Sequence, residues 1–122
     1  MDRQTVGRLG ENLAARYLVS KGYRLLERNF RARQYGEVDI ICLSPDAKTL
    51  IFVEVKTRIG TVFGRPEEAV NKHKLRELKK MADYYFNLHP NLGLSLQIDV
   101  LAISLHPDNS VESLKHLENI TL

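Results

Sequence analysis

The sequence predicts a single α/β domain in which a mixed four-stranded sheet is flanked by helices, in the order helix, three strands, helix, strand. Two segments carry apolar residues at helical spacing, and four apolar runs rich in β-branched residues have the length of strands. The 122 residues are enough for one hydrophobic core. Since no repeat, low-complexity segment or linker divides the chain, we expect one domain over residues 1–122.

The first helix is predicted from about Arg3 to Ser20, with Gly22 as its terminator. Its apolar stripe comprises Val6, Leu9, Leu13, Ala14, Tyr17 and Leu18. Gly10 falls within this stripe, where a missing side chain would let the helix approach the sheet closely. Glu11 lies on the edge of the stripe, so it either reaches into a functional site or is exposed to solvent.

The first strand is predicted over Tyr23–Arg33, and its arginines indicate an exposed edge that could touch nucleic acid: Arg24, Arg28, Arg31 and Arg33. Residues 1–33 contain seven Arg and one Lys against three acids, whereas residues 87–122 contain one Lys against four acids. A basic amino-terminal third is typical of a surface that binds a phosphate backbone. A solvated helix face and a charged edge strand would give the same pattern.

The stretch Gly36–Arg58 contains two apolar runs, Val38–Leu43 and Leu50–Val55, joined by a short polar loop. This is the pattern of two adjacent strands. Charged residues interrupt both runs, at positions that strand interiors normally exclude: Glu37, Asp39, Glu54 and Lys56. We expect both strands to be covered on their two faces, which makes these charges expensive unless they have a partner or a function.

Side chains alternate along a strand, so Glu54 and Lys56 share a face, and Asp39 lies on one face of the neighbouring strand with Glu37 and Ile41. If Asp39 and Glu54 converge, their repulsion favours a divalent cation between them, and hard oxygen ligands suit Mg²⁺ or Mn²⁺. Lys56 could then stabilise a developing anion or help to deprotonate water. The alternative is that these residues face solvent and that Glu54 and Lys56 form a surface pair.

A loop is predicted from Thr57 to Arg65, followed by a second helix from Pro66, the favoured first helical position, to about Leu88. Lys74 belongs to the inward stripe of this helix. It either extends outward to solvent along that stripe or points over the sheet into the acidic cluster, where it would bind substrate phosphate.

The last predicted strand, Leu94–Leu105, is almost continuously apolar, and Asp99 is its one acid. Asp99 is either a polar cap at the end of the sheet or a structural partner for a basic residue. The remaining tail, Val111–Leu122, is expected to pack back as a short strand or helix.

Composition excludes several classes of protein. No apolar run approaches the roughly 20 residues of a membrane helix, and the first residues lack a signal-peptide core. Cys42 is the single cysteine, so no internal disulfide can form, and the four histidines have no zinc-binding spacing. We therefore expect a cytoplasmic protein without a membrane partner.

Several short motifs in combination carry a resemblance to a known family. They are Gly7-Arg8-Leu9-Gly10-Glu11, Arg28-Asn29-Phe30-Arg31, Gly36-Glu37-Val38-Asp39, Phe52-Val53-Glu54-Val55-Lys56-Thr57-Arg58, Phe63-Gly64-Arg65-Pro66, Lys74 and Ile98-Asp99-Val100. The chain resembles the YraN-like family of small uncharacterised bacterial proteins, which belongs to the PD-(D/E)XK nuclease superfamily and is related to Holliday junction resolvases. Two positions depart from the pattern: Val38 replaces the proline common before the first acid, and Gln97 replaces a basic residue.

This resemblance implies a restriction-endonuclease-like core and a Mg²⁺- or Mn²⁺-dependent endonuclease acting on nucleic acid, with branched or structured DNA as the expected substrate. Asp39 and Glu54 would hold the metal with the Val55 carbonyl, Lys56 would activate water, and Glu11 would hold a second metal or a bridging water. The nucleic-acid-binding residues would be Lys74, Arg58, Arg31 and Arg33. A homodimer would form if two strands are cut. The alternative is a non-catalytic nucleic-acid-binding or adaptor protein that keeps the nuclease fold.

Overall fold

The computed structural model describes residues 2–32, 34–60, 70–93 and 95–120, with only the backbone of Arg3. The elements are α1 (Arg3–Ser20), β1 (Arg24–Ala32), β2 (Gly36–Leu43), β3 (Thr49–Ile59), α2 (Lys72–Leu88), β4 (Ser95–Leu105) and β5 (Val111–Leu117). The predicted order of helix, three strands, helix and strand is confirmed. Within the described residues the sheet has five strands, so the predicted count of four was wrong.

The sheet runs in sequence order from β1 to β5. Three of its pairings are antiparallel, and β3 pairs with β4 in parallel, which confirms the prediction of a mixed sheet. A parallel pair needs a crossover connection, and α2 lies in that connection. The additional strand β5 comes from the tail, for which the sequence left strand and helix open. It pairs with β4, whose outer edge would otherwise have no partner among the described strands.

The two helices cover opposite faces of the sheet and build separate cores. On one face, Leu78 and Tyr85 of α2 pack with Phe52 of β3. On the other, Ala14 and Leu18 of α1 pack with β3 and β4 residues and with Cys42, the free cysteine predicted to lie in a strand. Burial raises the pKa of this thiol to about 12, so it stays protonated. The described residues therefore form a three-layer α/β/α arrangement.

Helix α1 begins after Asp2, whose carboxylate accepts a hydrogen bond from the Thr5 N–H at 2.8 Å. Gly10 is buried where the helix crosses β3, and a Cβ at that position would overlap the side chain of Thr57. The predicted close approach at Gly10 is therefore confirmed. It brings the first half of α1, including Glu11, against the end of β3.

Helix α2 begins at Lys72 and is capped by Asn71, whose side chain accepts a hydrogen bond from the Lys74 N–H at 2.8 Å. A continuous helix from Pro66 was predicted, and this was wrong at residues 70 and 71, because the cap residue Asn71 has an extended backbone. Pro66 itself lies outside the described residues. The predicted loop at residues 57–59 was also wrong, since pairing with β4 extends β3 to Ile59.

Candidate active site

A gap opens in the sheet where β2 and β3 stop pairing. Their antiparallel pairing ends at Ile40 and Val53. One step further, an Asp39 carboxylate oxygen, Oδ2, accepts a hydrogen bond from the Val55 N–H at 2.8 Å. The carboxylate thus lies in the seam between the strands and replaces a main-chain partner. Since the N–H and C=O of a strand residue point to the same edge, the Val55 carbonyl also faces this gap.

The backbone of β1 is irregular opposite this gap. Asn29 has a φ of 53°, in the left-handed region that Asn tolerates better than most residues. It lies between the pairs Arg28–Ile40 and Phe30–Val38, and therefore across from Asp39. Asn29 also donates a side-chain hydrogen bond to Glu11. The unusual conformation places an amide beside the carboxylates.

A cleft of about 710 Å³ extends from the gap, and its walls come from four elements. Seven residues that were predicted to form the site line this cleft, Val55 through its predicted carbonyl ligand and the others through their side chains. They are Glu11, Asp39, Glu54, Val55, Lys56, Arg58 and Lys74. They come from α1, β2, β3 and α2. The fold therefore assembles these residues at one end of the sheet.

Glu54 is the most buried carboxyl of the cleft, with 5% of its surface exposed. Burial raises its pKa to about 8, and the hydrogen bond and charge of Asp39 act in the same direction. The positive charges of Lys74 and Lys56 oppose this rise. The two carboxyl groups are therefore close enough to disfavour being ionised together, which is the condition under which a cation between them is favourable.

Lys74 points inward, in agreement with one of the two alternatives that the sequence left open for this residue. Its Nζ lies 3.6 Å from Glu54 Oε2 and 3.2 Å from Glu77 Oε2, and it donates to the Glu37 carbonyl oxygen at 3.1 Å. Burial acts to lower the pKa of Lys74, but the carboxylates of Glu54 and Glu77 outweigh it, so the pKa lies above its ordinary value. The ammonium is therefore charged and held over the end of the sheet.

Glu11 joins the cluster as a third carboxyl. Burial and the charge of Asp39 raise its pKa, against the hydrogen bond from Asn29 and the charge of Arg28. The Arg28 guanidinium lies 4.0 Å from Glu11 Oε2. Of the two alternatives for Glu11, the structure therefore supports a position at the site rather than on the open surface.

The remaining predicted residues differ in position. Lys56 and Arg58 line the cleft. Arg31 lies outside it and lines an adjoining groove that shares Glu11 with the cleft, and its Nε is 3.0 Å from Glu37 Oε2. Arg33 lies outside the described residues. Cationic side chains thus lie beside the carboxyl cluster.

A model of the uncharacterised protein family UPF0102 matches residues 10–103. The chain belongs to this family. A UPF0102 protein of Syntrophomonas wolfei is 44% identical over 119 residues, covering 98% of each chain. One from Mycobacterium tuberculosis is 39% identical over 122 residues, covering 98% of this chain and 94% of its own. One from Caldanaerobacter subterraneus is 38% identical over 120 residues, covering 98% of this chain and 96% of its own.

Membership of UPF0102 confirms the resemblance to small YraN-like proteins. The matched range contains the acidic cluster and both inward-facing lysines, Lys56 and Lys74. Neither described helix has the length and apolarity needed to cross a membrane.

The site also contains Glu77, which sequence reasoning missed. It lies one helical turn after Lys74, at the i+3 spacing at which side chains on a helix meet. Once Lys74 is taken to face inward, this spacing would have identified Glu77. The contribution of Asn29 had no comparable signal, because a positive φ within a strand is not encoded in a residue pattern.

A second polar cluster lies on the α1 face. Asp99 is fully buried and accepts hydrogen bonds from Gln97 Nε2 at 2.9 Å, from the Asn119 N–H at 2.9 Å and from His116 Nε2 at 2.7 Å. His116 Nδ1 in turn lies 3.1 Å from the Tyr17 hydroxyl. Of the two alternatives for Asp99, the structure supports a partner for a basic residue. The resemblance predicts a basic residue at position 97. Gln97 instead donates a hydrogen bond to Asp99 without carrying a charge.

Proposed function

We propose that the cleft binds a divalent metal ion and hydrolyses phosphodiester bonds in nucleic acid, in the manner of PD-(D/E)XK nucleases. The observation that carries this proposal is the buried carboxyl of Glu54 beside Asp39 in an open cleft, with Lys56 two residues further along the same strand. A carboxyl whose pKa is strongly raised by burial and a neighbouring charge, in a cleft, is typical of a functional site. DNA with branched or other irregular structure is the proposed substrate.

The donor set suits Mg²⁺ or Mn²⁺. Asp39 and Glu54 provide hard carboxylate oxygens, and the Val55 carbonyl faces the same gap. These three groups would hold one metal, and Glu11 would hold a second metal or a bridging water. A bound divalent cation would relieve the repulsion that contributes to the raised pKa of Glu54. When bound, the metal polarises a phosphoryl oxygen and lowers the pKa of its water.

The protein's own residues orient the reactants. Lys56 would orient the attacking water and stabilise the negative charge that develops on the phosphoryl group. In the net reaction, water adds its hydroxyl oxygen to phosphorus, the bond to the leaving oxygen breaks, and that oxygen receives a proton. Lys74 and Arg58 would bind the phosphates on either side, and Arg31 and Arg33 would contact the backbone beyond the cleft.

A homodimer and a cytoplasmic location are part of the same proposal. A domain of 122 residues can contact only part of a branched DNA, so cutting two strands requires two copies of the chain. The cytoplasm is where such DNA occurs in a bacterial cell. A non-catalytic nucleic-acid-binding or adaptor role is the competing function, and the experiment below separates the two.

Calorimetric titration of Mn²⁺ and Mg²⁺ tests the metal site. The parent is expected to bind, whereas Asp39→Ala and Glu54→Ala should lose binding while remaining folded by circular dichroism. Glu112→Ala, which removes an exposed carboxylate of β5, is the matched control and should bind as the parent does. Cleavage is then measured on four-way-junction DNA, duplex DNA and RNA.

Cleavage that requires metal, Asp39 and Glu54 supports the nuclease, and the preferred substrate identifies its class. If the parent binds no metal even with uncleavable DNA present, the nuclease proposal is wrong. Nucleic-acid binding without cleavage or metal binding would favour the adaptor role.

A further inference from the structure

We propose that Glu77 is a positioning residue that holds the Lys74 ammonium at the Glu54 end of the cleft, ready to bind a substrate phosphate. This inference rests on the proposed function, because it gives Lys74 its role there. Glu77 was not among the residues that the sequence or the resemblance assigned to the site. Its action would be exerted through Lys74 rather than on the substrate.

The Lys74 ammonium donates one hydrogen bond and forms two ion pairs. Glu77 Oε2 lies 3.2 Å from Nζ, the Glu37 carbonyl oxygen 3.1 Å and Glu54 Oε2 3.6 Å. Two of these partners, Glu77 and Glu37, are outside the proposed metal-binding set. They can therefore keep Lys74 in place while Glu54 binds a metal ion, whereas a lysine held by Glu54 alone would lose its anchor.

The position of Glu77 is constrained from the other side by Gly36. A Cβ on Gly36 would overlap the Glu77 carboxylate, and the φ of Gly36, 127°, is in the range that favours glycine. The Glu77 carboxylate thus packs directly on the first residue of β2. Its side chain is 24% exposed, so the carboxylate is partly shielded from solvent as well as confined. This confinement is what an anchor for a long, flexible lysine requires.

A lysine side chain has several rotatable bonds, and fixing them opposes binding. An ammonium that Glu77 already holds in the free protein loses less freedom when a phosphate arrives. Removing the Glu77 charge should therefore weaken phosphate binding even though every proposed substrate-contacting residue remains. The effect should require Lys74.

The experiment compares the parent with Glu77→Gln, Lys74→Ala, the double variant and the control Asp83→Asn, which removes an exposed carboxylate of the same helix. The first readout is the rate at which acetic anhydride acylates Lys74 in the full, metal-free chain, measured by mass spectrometry. The second is the Kd for a labelled DNA four-way junction in Ca²⁺. Unfolding curves check that each variant is folded.

We expect Glu77→Gln to raise the acylation rate of Lys74 about threefold, because the side chain loses the ion pair at 3.2 Å that confines it and is more accessible to the reagent. Junction binding should weaken about fivefold in Glu77→Gln, and the double variant should bind no more weakly than Lys74→Ala. Asp83→Asn should change neither readout. An unchanged acylation rate, or additive losses in the double variant, would overturn the role of Glu77.

The two proposals fail in different ways. If the parent binds both Mn²⁺ and the junction but Glu77→Gln behaves like Asp83→Asn, only the role of Glu77 is wrong. If the parent binds neither, the proposed function is wrong, and the phosphate-positioning role falls with it whatever the reactivity of Lys74.

Discussion

The Asp39 carboxylate accepts a hydrogen bond from the Val55 N–H at 2.8 Å, at the point where β2 and β3 separate. Asp39→Ala removes this acceptor and should lower the free energy of unfolding by about 1 kcal/mol. Asp39→Asn keeps an oxygen acceptor and relieves the repulsion with Glu54, so it should remain as stable as the parent while losing metal affinity. Urea unfolding and Mn²⁺ calorimetry measure the two effects. Equal destabilisation by both variants would contradict this expectation, because the amide oxygen would then not replace the carboxylate as acceptor.

The raised pKa of Glu54 predicts a dependence of stability on pH. The folded-state pKa is about 8 against an ordinary 4.5, so the folded state binds the proton more tightly than the unfolded state. The associated stability is complete below pH 4.5 and is lost as the pH rises through about 8. Metal-free parent protein should therefore lose stability between pH 5 and 9 relative to Glu54→Gln, which cannot ionise. A difference in unfolding free energy that stays constant with pH would contradict the assigned pKa.

Lys56 should affect the chemical step rather than metal binding. Lys56→Gln is expected to bind Mn²⁺ at least as well as the parent, because a positive charge next to the metal site is removed, yet to cleave DNA about 10²–10³-fold more slowly. Single-turnover cleavage rates and calorimetry give the two values. Lys115→Gln, on exposed β5, serves as the control for loss of a surface charge. A parallel loss of metal affinity in Lys56→Gln would assign Lys56 a structural role instead.

The contact between Gly10 and Thr57 predicts a large stability difference between two glycines of one helix. A Cβ at Gly10 would overlap Thr57, so Gly10→Ala should destabilise the protein by roughly 1–3 kcal/mol. Nothing lies within 4 Å of a Cβ at Gly7, so Gly7→Ala should gain up to about 1 kcal/mol from helix propensity. Denaturant unfolding of both variants provides the comparison. Similar effects at the two positions would mean that α1 does not lie as close to β3 as described.

The buried pair of Asp99 and His116 predicts that removing His116 destabilises the fold without affecting the cleft. His116→Ala leaves one oxygen of a fully buried carboxylate without its donor and should cost about 2–4 kcal/mol. His73→Ala, at an exposed position of α2, should cost almost nothing. Mn²⁺ binding should be retained in His116→Ala below its unfolding temperature. Loss of metal binding by the folded variant would instead connect this cluster to the cleft.

Sequence periodicity predicted most of the elements because each depends on residues a few positions apart. The stripe of α1, the close approach at Gly10 and the apolar runs of β2, β3 and β4 are local patterns that burial in two cores explains. The predicted helix was wrong at residues 70 and 71, because Asn71 caps α2 with an extended backbone. The extension of β3 to Ile59 depends on a parallel partner distant in sequence, which no local pattern specifies.

The sequence by itself determined the kinds of groups available: acids and a lysine interrupting apolar strands, and a lysine on the apolar stripe of a helix. Only the tertiary structure decided which of these groups meet. Asp39 and Val55 are 16 residues apart, and Lys74 and Glu37 are 37 apart, so their contacts depend on strand register and on where α2 crosses the sheet. The raised pKa of Glu54 follows from those contacts, because burial and a neighbouring carboxyl act through space and not along the chain.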